Sequence, residues 1–492
     1  MEVSATHLAP GGHMLIIAYP REEGFFARAP FDYRLDRKLA KMDELLEDER
    51  LILQASLDLA KSAPQALETG RESTPVEVTL RLAVLRRLNG WSYRQVEEEV
   101  KGSVKWRGFC RIYEQRVPDH STIQAREVLM GAETLHALND RVVKQGCRQG
   151  VTQGTKLRVD GSVIETNIHY PTDSSLLADG VRVVGRTLAR AREVVDGRVV
   201  RWQQKLFRNQ GRAAKHLGRQ IAFLSRRQSQ KKRKTADSVQ KMRRLYHKLV
   251  HVAQDNLDHA EQVIDLLSQH SSVKAIALQS TLEHFVPLLQ SVVNQTTRRV
   301  FEGQSVPATE KVVSLFEPHT AIIQRGKAPP RETEFGRKVW YSEVDGGLVS
   351  EYRILPGSPP DNQDQWPTSL KHHRKLFGHS PITAVADRGV HSPYNEQVAH
   401  RHKIPEVALP KPGSKTPERI AYEAQPWFKA ALRYRSGVEG RISVLRGPRG
   451  LRRCLNHGET GLERWVGWGV IANNLVVIAS ALTRRHRPLN ST

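Results

Sequence analysis

An apolar alternation at Lys156-Leu157-Arg158-Val159-Asp160-Gly161-Ser162-Val163-Ile164 predicts a β-strand, and the next strand-type run does not come until Lys338. The interval between them constrains the fold more than any other feature. From about 181 to 310 its apolar residues keep helical spacing, so the chain must close a sheet around an inserted helical body. Beyond it, Lys338–Val344 and Leu348–Ile354 flank Asp345-Gly346-Gly347, a hairpin signal. A helix is expected at Gln363–Phe377, short strands at Ile382–Ala386 and Pro405–Leu409, and helices from about 425 to 447 and 462 to 482. With the insertion set aside, strands and helices alternate as in an α/β sandwich with a mixed sheet.

Within the insertion, residues 201–250 hold 16 Lys or Arg and a single acid, Asp237, with the densest runs at Arg226-Arg227 and Lys231-Lys232-Arg233-Lys234. Such a block is a disordered tract, a nuclear signal or a polyanion-binding arm. Leu206, Leu217, Ile221, Leu224, Leu245 and Leu249 keep helical spacing through it and favour the arm. The whole chain shares the bias: 76 Lys plus Arg against 52 Asp plus Glu give a net +24 and a pI near 10.1. Solubility needs no such excess; binding to a polyanion, most often nucleic acid, accounts for it.

At 492 residues the chain exceeds one core, so several domains are expected. Cys110, Cys147 and Cys454 are far apart with no CxxC, which excludes a disulfide framework and fits a reducing cytosol or nucleus. The N-terminal apolar run is too short for a secretory signal. Trp465–Leu482 is the one membrane candidate; Asn473 and Asn474 interrupt it, and a packed terminal helix is expected, with no membrane partner.

Residues 34–62 space Leu35, Leu39, Met42, Leu46, Leu53 and Leu57 as one amphipathic helix. A second helix, from about Val78 to Asn89, stops at Gly90, and Ser92 with Gln95 opens a third through a capping box. The arrangement is compatible with a helix-turn-helix and equally with any helical domain. Asp119-His120-Ser121-Thr122 leads into another helix, with Ser121 and Gln124 repeating the capping pattern.

Nucleotide fingerprints are absent: there is no GxxxxGK[ST], and Gly467-x-Gly469-x-x-Ala472 lies in a helix-like run with no strand before it. His372, His373, His379 and His391 lack zinc spacing, and the first two fit a basic, partly exposed helix. The carboxylates say more. Asp160 and Asp387 each close a short apolar strand and run into Gly161 or Arg388-Gly389, where an acid projects into a cleft at a sheet edge; taken singly, each is also a common turn former. On the following helix Glu439 lies about 40° from Arg435, and Arg446 about 20° from Glu439, so all three share a face. An Arg–Glu pair stabilising that helix is the plainer reading. Together, three carboxylates on adjacent elements suit two hard Mg²⁺ ions that activate an attacking oxygen and neutralise a leaving one, with Arg435 and Arg446 on phosphate.

The segments VDGSVIETNIHYPTDSSLL (159–177), FGRKVWYSEVDGGLVSEYRIL (335–355), VADRGVHSP (385–393) and YRSGVEGRISVLRGPRGLRRC (434–454) resemble DDE transposases of bacterial insertion sequences, in particular the group known as "not classified yet" (ISNCY). GWSYRQVEEEV…VPDHSTI (90–123) is similar to the N-terminal domain of related transposases. The resemblance implies Asp160, Asp387 and Glu439 as catalytic and metal-holding residues around two Mg²⁺, with Mn²⁺ as a substitute. Arg435, Arg446 (where lysine is usual) and Arg388 would contact phosphate near the site. Tyr434 adjoins Arg435 instead of preceding it by three, the position of Leu432. The resemblance further implies an RNase H-like core at 151–180 plus 336–450 and an N-terminal helical DNA-binding or dimerisation domain at 1–150. The basic helical insertion then spans 181–335 and a C-terminal helix spans 451–492. It implies a cytoplasmic, nucleoid-associated enzyme that cleaves the inverted repeats ending its element and joins the 3′-OH to target DNA as a homodimer. A same-fold nuclease that cuts without joining, or a non-catalytic DNA-binding derivative, would share these residues.

Overall fold

The alternation at 156–164 forms the central strand of a six-stranded mixed sheet in a computed structural model, which describes residues 13–14, 16–19, 35–61, 71–195, 201–230, 235–324, 333–357 and 364–485. The chain divides into two compact units, residues 1–166 with 337–492, and residues 167–336. The strands are β1 (Lys156–Glu165), β2 (Ala321–Gln324), β3 (Thr333–Val344), β4 (Val349–Leu355), β5 (Thr383–Val385) and β6 (Glu406–Ala408). Their order is β2-β3-β1-β5-β6, with β4 on β3. β1, β5 and β6 run parallel, whereas β3 and β4 form the expected antiparallel hairpin around a turn at Asp345–Gly347. Gly346 and Gly347 both take positive φ there, which a β-branched residue could not. Asp345 closes the turn onto the start of β1, accepting from the amides of Gln153 (2.8 Å) and Lys156 (3.1 Å).

Among the described residues the first unit opens with seven helices: α1 (Arg37–Leu46), α2 (Glu49–Lys61), α3 (Val76–Asn89), α4 (Tyr93–Gly102), α5 (Val104–Phe109), α6 (His120–Val128) and α7 (Ala132–Arg148). The single helix expected over 34–62 is two. Asp48 separates them because its carboxylate is used elsewhere: Oδ1 accepts from the amide of Arg50, and Oδ2 from Arg141 Nε (2.8 Å) and Gln145 Nε2 (2.9 Å). The break rephases α2, so Leu51, Ile52, Ala55 and Leu59 are buried while Leu53 is 61% exposed and Leu57 also faces water. α3 ends at Gly90 in the left-handed region, and the Ser92–Gln95 capping box forms as expected. α6 is capped two residues earlier than expected, by Asp119 on the amide of Thr122 (2.8 Å) and not by Ser121. As a helix-turn-helix the α3–α4 pair is poorly charged for DNA: α3 is buried, and α4 exposes Glu98 and Glu99 beside Arg94.

Between the last strands come α12 (Gln365–Phe377), before β5, and α13 (Pro393–Arg401), before β6; α14 (Pro417–Ala424), α15 (Pro426–Arg446) and α16 (Gly458–Arg485) follow the sheet. The membrane candidate is the core of α16, most of it buried against α1, α3 and α7. Asn474 holds the start of β4 from both sides, accepting from the Val349 amide (2.9 Å) and donating to the Val349 carbonyl (2.8 Å) and Asn139 Oδ1 (2.9 Å). Gly467 and Gly469 are packing positions. A Cβ on Gly467 would meet the Tyr352 hydroxyl at 2.6 Å, and one on Gly469 would meet Leu451 Cδ2 at 2.7 Å.

The second unit is a helical body: α8 (Asp173–Val195), α9 (Gly211–Gln230), α10 (Ala236–Ser268) and α11 (Val273–Val300), with α8 packed on the other three. Leu177, Val184, Leu188, Leu249, Leu257 and Leu289 form its own core. The helices start at Asp173, earlier than expected, and β2, a strand absent from the sequence reading, pairs antiparallel with residues 333–336 of β3. Charge divides along α10. Its first half exposes Lys241, Arg243, Arg244 and Lys248; its second half carries Asp255, Asp258, Glu261 and Asp265 with no Lys or Arg.

Candidate active site

The parallel ladder between β1 and β5 ends at Arg158↔Val385, so Asp160 and Asp387 each stand two residues beyond the last paired position. Each acid spends Oδ1 on local backbone: Asp160 accepts from the Gly161 amide (2.8 Å), Asp387 from the Gly389 amide (3.0 Å). Each Oδ2 approaches the same guanidinium nitrogen, Arg435 Nη2, at 3.5 Å from Asp160 and 3.9 Å from Asp387. The side chains are 15% and 33% exposed, a cleft position. Asp160 does not end its strand as expected. β1 runs on to Glu165 because that residue is stitched to the 452–454 segment, its amide donating to the Arg452 carbonyl (3.0 Å) and its carbonyl accepting from Cys454 (2.8 Å).

α15 presents Arg435 because its neighbouring face is fixed to the sheet. Arg158, the third residue of β1, pairs with the buried Glu343 of β3 (2.7 Å) and donates to the carbonyl of Tyr434. Arg441 reaches Glu343 from the other side (3.1 Å). Gly437 permits this approach: a Cβ there would fall 2.5 Å from Arg158 Nη1. Tyr434 lays its ring on the Arg158 guanidinium (4.5 Å), its hydroxyl finds no hydrogen-bond partner among the described residues, and burial pushes its phenol well above the ordinary range. Tyr434 is thus a packing residue under the site. Arg158 and Glu343 went unremarked in the sequence. The signal was there: an arginine inside an apolar alternation, and a glutamate just before a Gly-Gly turn.

Glu439 lies one turn beyond Arg435 and is exposed. Among the described residues no group of three or more His, Cys, Asp or Glu converges as a metal site, so Glu439 stands apart from the Asp160–Asp387 pair. Arg446 shares the helix face in angle only. Eleven residues at 1.5 Å put it about 16 Å along the axis from Arg435, beside the buried Tyr341, whose phenol it lowers against the effect of burial. Arg388 is exposed in the turn after Asp387. Arg226 and Arg227 are exposed on α9 of the second unit, whereas Lys231, Lys232, Arg233 and Lys234 lie outside the described residues.

The side chains at hand are carboxylates, the donor type a hard divalent cation takes, and Asp160 and Asp387 share the guanidinium of Arg435, whose Nε is buried with no partner among the described residues. The histidines do not compete. His373 is buried, not partly exposed as expected; its Nε2 lies 3.0 Å from the Gly154 carbonyl, and burial lowers its pKa to about 4. His372 pairs with Asp140 at 3.3 Å. No curated protein and no solved structure matches the chain. Residues 31–126, which include α1 to α5 and most of α6, match the family model "Transposase domain (DUF772)", and this match supports a transposase.

Proposed function

We propose that the chain is a DDE transposase that cleaves the ends of its insertion sequence and joins the freed 3′-OH to target DNA. The observation that carries this reading is the pairing of Asp160 with Asp387 beyond the end of one parallel ladder, both facing Arg435, in a chain whose N-terminal region matches a transposase domain. The sheet supports an RNase H-like core. A hairpin lies on one side of the acid-bearing β1, two parallel strands lie on the other, and the helical insertion falls between β1 and the hairpin.

Asp160, Asp387 and Glu439 would hold the metal. What two Mg²⁺, or Mn²⁺ in their place, supply when bound is activation of the attacking oxygen and neutralisation of the leaving one. Glu439, one helical turn beyond Arg435 on α15, would be the third of these ligands. Arg435, freed from the two aspartates, is within reach of a phosphate oxygen and holds the scissile group in line, with Arg388 at the cleft rim and Arg446 further along the duplex. The run Arg226 to Lys234 adds sequence-independent affinity, since phosphate contacts position DNA without reading it. Action on two element ends calls for a homodimer on DNA, in the bacterial cytoplasm.

The test is a plasmid carrying the element's own ends, incubated with the full chain and Mg²⁺. Nicks at the ends and joined products are expected from the wild type and from none of Asp160→Asn, Asp387→Asn and Glu439→Gln. Nicks without joined products would favour a same-fold nuclease, and end binding without nicking would make the chain a DNA-binding derivative.

A further inference from the structure

Tyr170 follows β1 by five residues and leaves its ring 77% exposed, the second unit's most exposed aromatic among the described residues. The ring stands edge-on to Phe335, with centroids 5.6 Å apart and planes at 88°, so a flat surface remains open to solvent. Beside it is a cavity of about 240 Å³ whose lining includes Thr172, Gln324, Thr333 and Lys311. That is smaller than the roughly 300–1,000 Å³ of pockets for drug-sized ligands and suits a single planar ring system. The polar wall is rigid: Asp173, 6% exposed, accepts from Arg299 Nη1 (2.8 Å) and Gln295 Nε2 (3.2 Å).

The cavity lies at the cationic end of its unit. Arg299 joins it to the C-terminal end of α11, and there Arg243 Nη2 donates to the Phe301 carbonyl (2.8 Å) while His247 packs on the Phe301 ring (4.2 Å). The exposed Lys241, Arg243, Arg244 and Lys248 of α10 therefore gather at the same end as Arg298 and Arg299. Residues 167–336 together hold 28 Lys or Arg against 15 Asp or Glu. An open aromatic face among cations is the arrangement that takes a base by stacking and its phosphates by charge.

We propose that Tyr170, backed by Phe335, is a stacking platform for an unpaired base of DNA, with the flanking phosphates held by the α10 cations and Lys311. The proposal rests on the DNA reading above and adds to it a site for a base taken out of the helical stack.

The full chain is titrated, in Mg²⁺-free buffer, with a duplex bearing one unpaired 2-aminopurine and with the same duplex fully paired. Binding should quench the unpaired fluorophore. Tyr170→Ala should abolish the quench and weaken affinity for that duplex about tenfold, with the paired duplex little affected, and Tyr170→Trp should restore both. Because the ring is exposed, the thermal midpoint of Tyr170→Ala should match the wild type, which separates lost stacking from lost fold. The proposal is overturned if Tyr170→Ala keeps the quench and the affinity, or if the wild type binds the duplex with no quench. Failure of the wild type to bind either duplex would instead remove the DNA reading itself.

Discussion

Arg435 Nη2 lies 3.5 Å from Asp160 Oδ2, and the same nitrogen serves Asp387 at 3.9 Å. One guanidinium thus compensates two carboxylates that would otherwise repel across a cleft, and it stands where a bound cation would have to compete with it. Arg435→Ala should bind Mn²⁺ more tightly than the wild type in the absence of DNA, as measured by calorimetry. The same variant should cleave at least about tenfold more slowly, ~1.4 kcal/mol in the barrier, through loss of the phosphate contact. Weaker Mn²⁺ binding would show that Arg435 supports the acids instead of competing for them.

Amide substitutions at the acids should separate chemistry from binding. Asp160→Asn, Asp387→Asn and Glu439→Gln each remove one ligand charge and should lose nicking almost completely while still retarding end DNA in gels. The structure decides which acids serve as controls. Asp173 holds Arg299 and Glu396 holds Arg419 at 2.5 Å, so changing either perturbs a local network. The exposed Glu98 and Glu99 are better, and normal nicking is expected from both amide variants.

Glu343 is 1% exposed and pairs with both Arg158 and Arg441. Glu343→Ala leaves two guanidinium groups without their partner under the site and should cost about 3–5 kcal/mol in urea unfolding. A loss below ~1 kcal/mol would mean that water enters the cluster and solvates it.

Two buried groups should give opposite pH dependences. Burial lowers His373 from its ordinary 6.5 to about 4, so the unfolded chain takes up a proton first and stability falls as pH drops from about 6.5 to 4. Burial raises Glu463 on α16 from 4.5 to about 7, so the folded chain takes up the proton first and stability falls as pH rises through that window. Each effect amounts to about 3 kcal/mol at 1.36 kcal/mol per unit, and in the wild type they offset. Urea midpoints at pH 5 and 7.5 check this. His373→Gln should become relatively more stable at pH 5, and Glu463→Gln relatively more stable at pH 7.5.

What was legible in the sequence followed local rules. Period-two alternation located β1 and the hairpin, and Ser92 with Gln95 marked a helix start. The short apolar run before Asp387 was legible as a strand, whereas β1 runs on past Asp160; Asp160, Asp387 and Arg435 do come together. What stayed hidden depends on partners far along the chain. Asp48 breaks a helix because Arg141 and Gln145 claim it, and Arg158 is tolerated inside a strand because Glu343 answers it. Arg446 misled because helical angle ignores axial rise. β2 is four residues long, too few to show a period.

The strand that carries Asp160 is complete at Glu165, yet its sheet neighbours β3 and β5 begin only at Thr333 and Thr383. At about 5–20 residues per second, a ribosome needs roughly 10–40 s to supply them. Through that time Leu157, Val159, Val163 and Ile164 have no sheet to join, and both edges of β1 are open to other chains. The insertion, with a core of its own, is finished and able to fold first. The catalytic sheet is therefore assembled late, and its yield in the cell depends on how well a nascent strand is kept covered while the helical body behind it is made.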